Sequence, residues 1–420
     1  MSTTSHERHT QNTGQSANAP YPDPLNTFIW NAILERATDV HLHCVEEGVR
    51  ILYRVDGEIR PKVLLSRIDG KKLLNQLKSA SSLGVARLFA PLEGQIIWPD
   101  EDRQWDIRVT FTPVRDRESA HLRFLSVPSE DWGLSNLGFS ADDQESVTAA
   151  VRGLHGLILI TGATGSGKTT TMYSLASLMD LQKTTAYSIE DPVEFRLPYA
   201  QQLEVDEKHG LTMHQGLRTI LRMDPDLILI GEIRDKDSAI VAARAALSGR
   251  LVLATIHAQD AAGAIDAMHY LGVPYHIIGS ALRLIIAQNL VRQLCTDCAQ
   301  PYEPTEADRS LFSRFRVAPP TQLMGPEGCP ACNSYGYAGR TGIFEVVPVD
   351  DAIATLVSAG THHQALCDYL RKKGIRSIAR DGLEKVASGV ISTDEFVRIC
   401  GLTADSELLP ATADYETVTG

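Results

Sequence analysis

The sequence predicts an α/β protein in two folded parts, a small α+β domain followed by a larger domain built on a mostly parallel sheet. Three observations carry this. From Leu154 onward, short apolar runs alternate with amphipathic stretches, the pattern of strands joined by helices that cover both faces of a sheet. Before Pro128, apolar and polar residues alternate at period two, as in half-buried strands. Between them, an apolar run leads directly into Gly162-Ala163-Thr164-Gly165-Ser166-Gly167-Lys168-Thr169, the spacing GxxxxGKT.

The order of elements follows from composition. Residues 1–25 are polar, with almost no aliphatic side chains to offset the entropy of ordering, and read as a disordered tail. Residues 26–128 form the α+β domain. Val40-His41-Leu42-His43-Cys44-Val45 and Val49-Arg50-Ile51-Leu52-Tyr53-Arg54-Val55 alternate, and Asp56-Gly57 is a hairpin signal. Further strands are expected near 94–98, 105–111 and 121–125, with a helix over 69–82. Residues 129–140 read as a linker, and Ser140 followed by Asp143 resembles a helix cap. The larger domain spans 141–402, with strands expected at 157–161, 185–190, 226–231 and 251–255, and 403–420 form a second tail.

Bulk properties narrow the class. The chain has 420 residues, 43% hydrophobic and 22% charged, ordinary values for a globular protein. Its formal charge of −12, from 40 basic and 52 acidic residues, repels nucleic acid and anionic lipid on average, so no direct nucleic-acid contact is expected. No run of about eighteen apolar residues exists and the N-terminus lacks a signal-peptide layout. A cytoplasmic protein that meets membranes only through partners is expected.

The glycine-rich segment carries the chemistry. Glycines let the backbone turn its N–H groups toward phosphate oxygens, Lys168 reaches the terminal phosphates, and Thr169 offers a hydroxyl to Mg²⁺. A buried strand at 157–160 and a helix at 170–178 place the segment, Gly162 to Thr170, at a helix N-terminus facing an anion. In an open α/β sheet, ligands lie beyond the carboxyl ends of the strands. Glu190-Asp191-Pro192-Val193-Glu194, Gly231-Glu232-Ile233-Arg234-Asp235 and Thr255-Ile256-His257-Ala258 are therefore expected to converge there. Phosphoryl transfer to water needs charge neutralisation, Mg²⁺ and a group that orients the water. Glu194 is the expected base, and Glu232 the residue that engages Mg²⁺ through water. Glu190 and Asp191 have the alternative of capping a turn before Pro192, and His257 that of a satisfied core histidine.

Seven cysteines occur, four of them in Cys295-Thr296-Asp297-Cys298 and Cys329-Pro330-Ala331-Cys332. Two CxxC pairs with 30 residues between them supply the four thiolates of a tetrahedral structural zinc site. A redox pair or disulfides are the alternatives, disfavoured where no signal peptide leads the chain. Cys44, Cys367 and Cys400 read as ordinary buried thiols.

The segments GATGSGKTTT, IEDPVEF, LRMDPDLILIGEIRD and ATIHAQDA, in this order, resemble the type II secretion and type IV pilus assembly ATPase family over residues 30–402. Arg340-Thr341-Gly342-Ile343-Phe344-Glu345 and Asp381-Gly382-Leu383 match it as well. The resemblance implies a RecA-like P-loop core, a PAS-like N-terminal domain, a zinc-binding subdomain over 291–345, and a hexamer that hydrolyses ATP to assemble a pilus or secretion pseudopilus on an inner-membrane platform protein. It puts Lys168 and Thr169 in the Walker A loop, Glu190 to Glu194 in the aspartate box, Glu232 at the Walker B strand end and His257 in the histidine box. It marks Arg108, Arg123, Arg222 and Arg234 as phosphate contacts within or across subunits, with Arg218 structural. The cysteine knuckle is typical of assembly and secretion members and usually missing from retraction motors. A retraction or DNA-uptake motor, a RecA-like nucleic-acid translocase and a nucleotide-binding scaffold without turnover are the competing readings. Secretion members often carry a further N-terminal docking domain. Here only the tail is expected before the α+β domain, which then becomes the expected docking element.

Overall fold

The computed structural model describes residues 23–86, 89–99, 104–115, 117–125, 133–315 and 317–400, and divides into two compact units, Met1–Val127 and Pro128–Gly420. Most of the expected N-terminal tail, residues 129–132 of the expected linker and the expected C-terminal tail lie outside the described residues.

The first unit opens on helix α1 (Asp23–Leu34), where the alternation reading has no helix. The signal is there in another period: Leu25, Phe28, Ile29 and Ala32 fall on one helical face, and all four are buried. Strands β1 (Ala37–Cys44), β2 (Gly48–Val55) and β3 (Glu58–Ser66) follow, then helix α2 (Arg67–Ala80) and strands β4 (Leu92–Pro99), β5 (Gln104–Val114) and β6 (Arg117–Leu125). They pair antiparallel in the order β3-β2-β1-β6-β5-β4. Asp56 and Gly57 join β2 to β3 with φ of 51° and 88°, both left-handed as a tight primed hairpin turn requires. Both helices cover one face, packing Leu25, Phe28, Leu73 and Leu77 on Val40, Leu42, Val109, Phe111 and Leu122. Burying each such large side chain contributes about 1.5–3 kcal/mol. The polar residues between them along β1, β5 and β6, among them Asp39, His41, Arg108, His121 and Arg123, fall on the opposite face.

The second unit begins with a short helix α3 (Leu134–Leu137) and helix α4 (Ala141–Arg152), whose first turn Ser140 caps by accepting from the Asp143 N–H. Then come β7 (Gly156–Thr161), α5 (Lys168–Ala176), β8 (Ala186–Glu190), β9 (Gln201–Glu204), α6 (Met213–Ile220), β10 (Leu227–Ile230), α7 (Lys236–Leu247), β11 (Leu251–Ile256), α8 (Ala261–Tyr270), α9 (Tyr275–Ala281) and β12 (Leu282–Leu294). A small excursion, β13 (Gln300–Tyr302), α10 (Glu306–Arg314) and β14 (Leu323–Gly325), separates Cys295 and Cys298 from Cys329 and Cys332 before β15 (Tyr337–Pro348). Helices α11 (Asp351–Ser358), α12 (His363–Lys372), α13 (Ile378–Ala387) and α14 (Thr393–Cys400) complete it.

The sheet order is β15-β12-β7-β11-β10-β8-β9, parallel throughout except for β15, which runs antiparallel to β12. Side chains of β7 divide between the two faces. Ile158 and Ile160 pack with Val147, Met172 and Leu175 on the α4/α5 side. Leu157 and Leu159 pack with Ala239, Ile265, Ile278 and Leu366 on the other. A continuous apolar strand is what two covered faces demand. The four expected strands are present within a residue of their expected ends, whereas β9, β12 and β15 extend the sheet beyond them. The two family-like segments nearer the C-terminus, 340–345 and 381–383, pack against each other and their neighbours. The Phe344 N–H donates to buried Asp381 at 2.9 Å, and a Cβ on Gly382 would lie 2.8 Å from the Phe396 ring. Among the described residues, no helix is long and apolar enough to cross a membrane.

Candidate active site

The loop between β7 and α5 is shaped by its glycines. Gly162, Gly165 and Gly167 have φ of 148°, 78° and 87°, conformations that L side chains rarely adopt. At Gly162 space forbids a side chain as well, since a Cβ would lie 2.2 Å from the Gln288 carbonyl oxygen. Gly167 occupies the cap position of α5 with no side-chain capping bond, so the first N–H groups of that helix are left for an anion. The loop thus fits a nucleotide's phosphates.

Three strand ends supply the polar groups beside it. Lys168 donates to the Gly162 and Ala163 carbonyls at 2.9 and 3.0 Å and lies 3.5 Å from His257 Nδ1. Burial lowers the Lys168 pKa, and the negative charges of Glu232 and Glu194 oppose that shift. His257 Nε2 is 2.5 Å from Glu232 Oε1, and its Nδ1 is 3.2 Å from the Gly162 carbonyl. The other Glu232 oxygen accepts from Arg234 Nε at 2.7 Å, and Arg234 Nη1 reaches Asp191 at 3.3 Å. Glu232, Arg234 and His257 also line a cleft of about 540 Å³ together with Asp266 and Tyr270. Thr161 and Thr255 tie the strand ends down by donating to the carbonyls of Ala258 and Gly231 at 3.0 and 2.5 Å.

The sequence-expected residues therefore separate into groups. Lys168, Glu232, Arg234, His257 and Asp191 meet in one network, and exposed Glu194 acts on it through its charge. Glu190 is turned elsewhere. Its carboxyl accepts from Tyr173, from Ser188 at 2.6 Å and from Gln202 at 3.2 Å, and burial raises its pKa. Arg222 is exposed on the turn leading into β10, at the amino end of a parallel strand, the end of the sheet away from the loop. Arg108 and Arg123 belong to the first unit, where they face each other across β5 and β6. Arg123 Nε donates to Asp39 at 3.0 Å, as His121 Nε2 approaches the same oxygen at 3.0 Å.

One residue has no signal in the sequence. Gln288, 1% exposed on β12, donates its amide to the Ser166 carbonyl at 2.7 Å and so braces the loop from the neighbouring strand. A glutamine inside an apolar run carries no motif, and only the parallel pairing of β12 with β7 brings it there.

The four cysteines come together as expected. Sulfur separations are 3.9 Å for Cys295–Cys329 and 3.8 Å for both Cys298–Cys332 and Cys329–Cys332. These are far from disulfide length and match the roughly 3.8 Å edges of a tetrahedron with Zn–S bonds near 2.3 Å. Backbone N–H groups of Gly328, Cys329 and Gly336 point at Cys298 and Cys332 sulfurs from 3.1 to 3.3 Å, support suited to thiolates.

Residues 15–398 match the family described as Type II/IV secretion system protein. The chain belongs to that family. Its relatives include the Type II secretion system protein E of Pseudomonas aeruginosa, 37% identical with 92% of this chain and 76% of that protein covered. Type II secretion system ATPase E of Vibrio cholerae is 36% identical over 91% of this chain and 75% of its own. Among solved structures, the Legionella pneumophila ATPase DotB superposes with a TM-score of 0.67 at 19% identity, covering 92% of this chain and 98% of that one. The pilus retraction motor PilT with bound ADP gives 0.59 at 23%, covering 88% and 95%. The secretion-family chain has the RecA-like P-loop fold and is an ATP hydrolase.

Proposed function

We propose that this chain is one subunit of a hexameric motor that works at the cytoplasmic side of the inner membrane, coupling ATP hydrolysis to assembly of a type II secretion pseudopilus or a type IV pilus. The observation that carries the reading is the convergence of Lys168, Glu232, Arg234 and His257 on one glycine loop, with the charge of Glu194 felt at Lys168. The names of the relatives supply the secretion system, and the four-cysteine cluster favours the assembly and secretion branch over retraction.

Gly162 to Thr170 would hold the phosphates, with Lys168 exchanging the loop carbonyls for phosphate oxygens. Mg²⁺, held by Thr169 and through water by Glu232, would neutralise the charge of the phosphates. Glu194 orients the attacking water and takes its proton. His257, already bridging Glu232 and the Gly162 carbonyl, shifts when the loop fills and so reports occupancy to β11. Asp191 positions Arg234. Arg108, Arg123, Arg222 and Arg234 are the groups for phosphate contact across domain or subunit boundaries, and Cys295, Cys298, Cys329 and Cys332 hold a structural zinc. A membrane platform protein is the proposed partner.

The test separates binding from chemistry. Lys168→Ala should lose both, because it removes the charge facing the phosphates. Glu194→Gln and Glu232→Gln should keep nucleotide affinity and lose turnover by roughly 100-fold or more. Nucleotide affinity and phosphate release are measured on the same preparations, and full turnover in Glu194→Gln removes that residue from the mechanism.

A further inference from the structure

Helix α12 presents two ligand-type side chains on one face, His363 and Cys367, spaced one helical turn apart. Across from them stands Asp260, the cap residue of α8, three positions beyond His257. His363 Nε2 lies 3.1 Å from Asp260 Oδ1, and Cys367 Sγ lies 3.9 Å from His363 Nδ1. One donor atom from each residue can be chosen so that all three are within 4.8 Å of one another. His363 would offer the ion one ring nitrogen only, and bonds of about 2.0–2.3 Å place donors roughly 3.3–3.8 Å apart in a tetrahedron, so the side chains must draw together from their spacing of up to 4.8 Å to close the set.

A second, independent feature sits at the same place. A cavity of about 150 Å³ is lined by Asp260, Cys367 and Glu345. Glu345 is 8% exposed, on β15, and its Oε2 accepts a long 3.3 Å bond from the Ala261 N–H. A buried carboxyl beside an aspartate and a thiol is costly without a cation to share. Arg371 also lines the cavity and its charge favours an ionised Glu345, but its guanidinium donates to Asp368 at 2.7 Å.

We propose that Asp260, His363 and Cys367 form a second metal site, taking Zn²⁺ and leaving the fourth position to water or Glu345. Oxygen, nitrogen and sulfur together suit a borderline ion such as zinc and disfavour Mg²⁺ or Ca²⁺. The ion clamps α12 to the start of α8, and so fixes the segment that follows His257. The site stands on its own geometry and does not depend on the motor reading.

The experiment is zinc stoichiometry on the full chain. Purified protein is loaded with zinc chloride, freed of excess by gel filtration and analysed for metal per chain. The variants are Cys367→Ser, His363→Gln and Asp260→Asn, the last chosen because asparagine still caps α8, with Cys298→Ser as the control on the cysteine knuckle. Each of the first three should hold one equivalent less than the wild type, whatever the knuckle holds, and the Cys298→Ser loss should come in addition when combined with Cys367→Ser. With cobalt as the probe, the wild-type minus Cys367→Ser difference should show a single thiolate-to-cobalt band. Equal metal content in the wild type, Cys367→Ser and His363→Gln overturns the site and leaves a His–Asp hydrogen bond beside a buried thiol. Loss confined to Cys298→Ser does the same.

Discussion

Lys168 sits under opposing influences: burial favours its neutral form, while Glu232 and Glu194 favour the charged one. The carboxylates thereby oppose the loss of the ammonium charge that a triphosphate needs, and they are the same groups proposed above for the chemistry. Asp39 shows the same logic in the first unit. Burial works to raise its pKa, but hydrogen bonds from His121 and Arg123, with the Arg123 charge, outweigh it and hold the carboxyl well below the usual carboxylate range. A depressed folded pKa stabilises the fold above the unfolded value, near pH 4, and that contribution is lost as pH falls toward the folded pKa. Asp39→Asn should therefore lower stability at pH 7 by roughly 1.5–3 kcal/mol, the worth of hydrogen bonds to a charged group. The gap to wild type should narrow steadily as the pH drops below about 4. Urea unfolding of the two proteins across that range checks it; a gap independent of pH would mean that the Asp39 charge is not what stabilises the sheet.

At the scale of elements, β12 is the least legible and among the most consequential. It follows α9 with no glycine or proline between them, and Leu284-Ile285-Ile286-Ala287 has no period that separates a buried strand from a buried helix. Yet it pairs with β7 and delivers Gln288 to the phosphate loop. Gln288→Ala should leave the Ser166 carbonyl buried without its donor, at a cost of roughly 1–3 kcal/mol. Nucleotide affinity, measured by calorimetry, should fall with it, while the ratio of turnover to bound nucleotide stays near wild type. Unchanged affinity would make the brace irrelevant to binding. The glycine loop and the CxxC pairs were readable because each residue type there answers a local demand, positive φ or thiolate count, that spacing alone displays. The strands 157–161 and 251–255 were readable because a run covered on both faces is apolar throughout. Glu190 was not. Its sequence neighbours place it at a strand end, but whether its carboxyl turns to the loop or to Tyr173 depends on α5 and β9, which pack there from elsewhere in the chain. The surroundings of Cys367 are hidden for a similar reason, since His363 beside it meets Asp260, which lies over a hundred positions away in sequence.

For the whole molecule, the residues proposed for phosphate contact do not all lie within one unit. Lys168, Glu232 and Arg234 surround the loop, Arg222 stands at the other end of the sheet, and Arg108 with Arg123 belongs to the first unit. In the proposed ring, a guanidinium such as that of Arg222, at the end of the sheet away from its own loop, would meet the loop of a neighbour. Arg123 is 60% exposed at its side chain even while bonded to Asp39, so the guanidinium is accessible to a nucleotide held by another surface. Arg123→Ala should bind ATP nearly normally and turn it over more slowly, by up to on the order of 10³-fold, because such a finger acts on charge that develops during transfer. Wild-type activity per chain should rise with protein concentration as rings form. Doping Arg123→Ala into wild-type rings should depress activity by more than its fraction, since one defective boundary stalls a cycle that passes around the ring. Turnover that is independent of concentration, with doped mixtures that follow simple proportion, would instead describe a nucleotidase that completes its site alone, and the motor reading would fall with the ring.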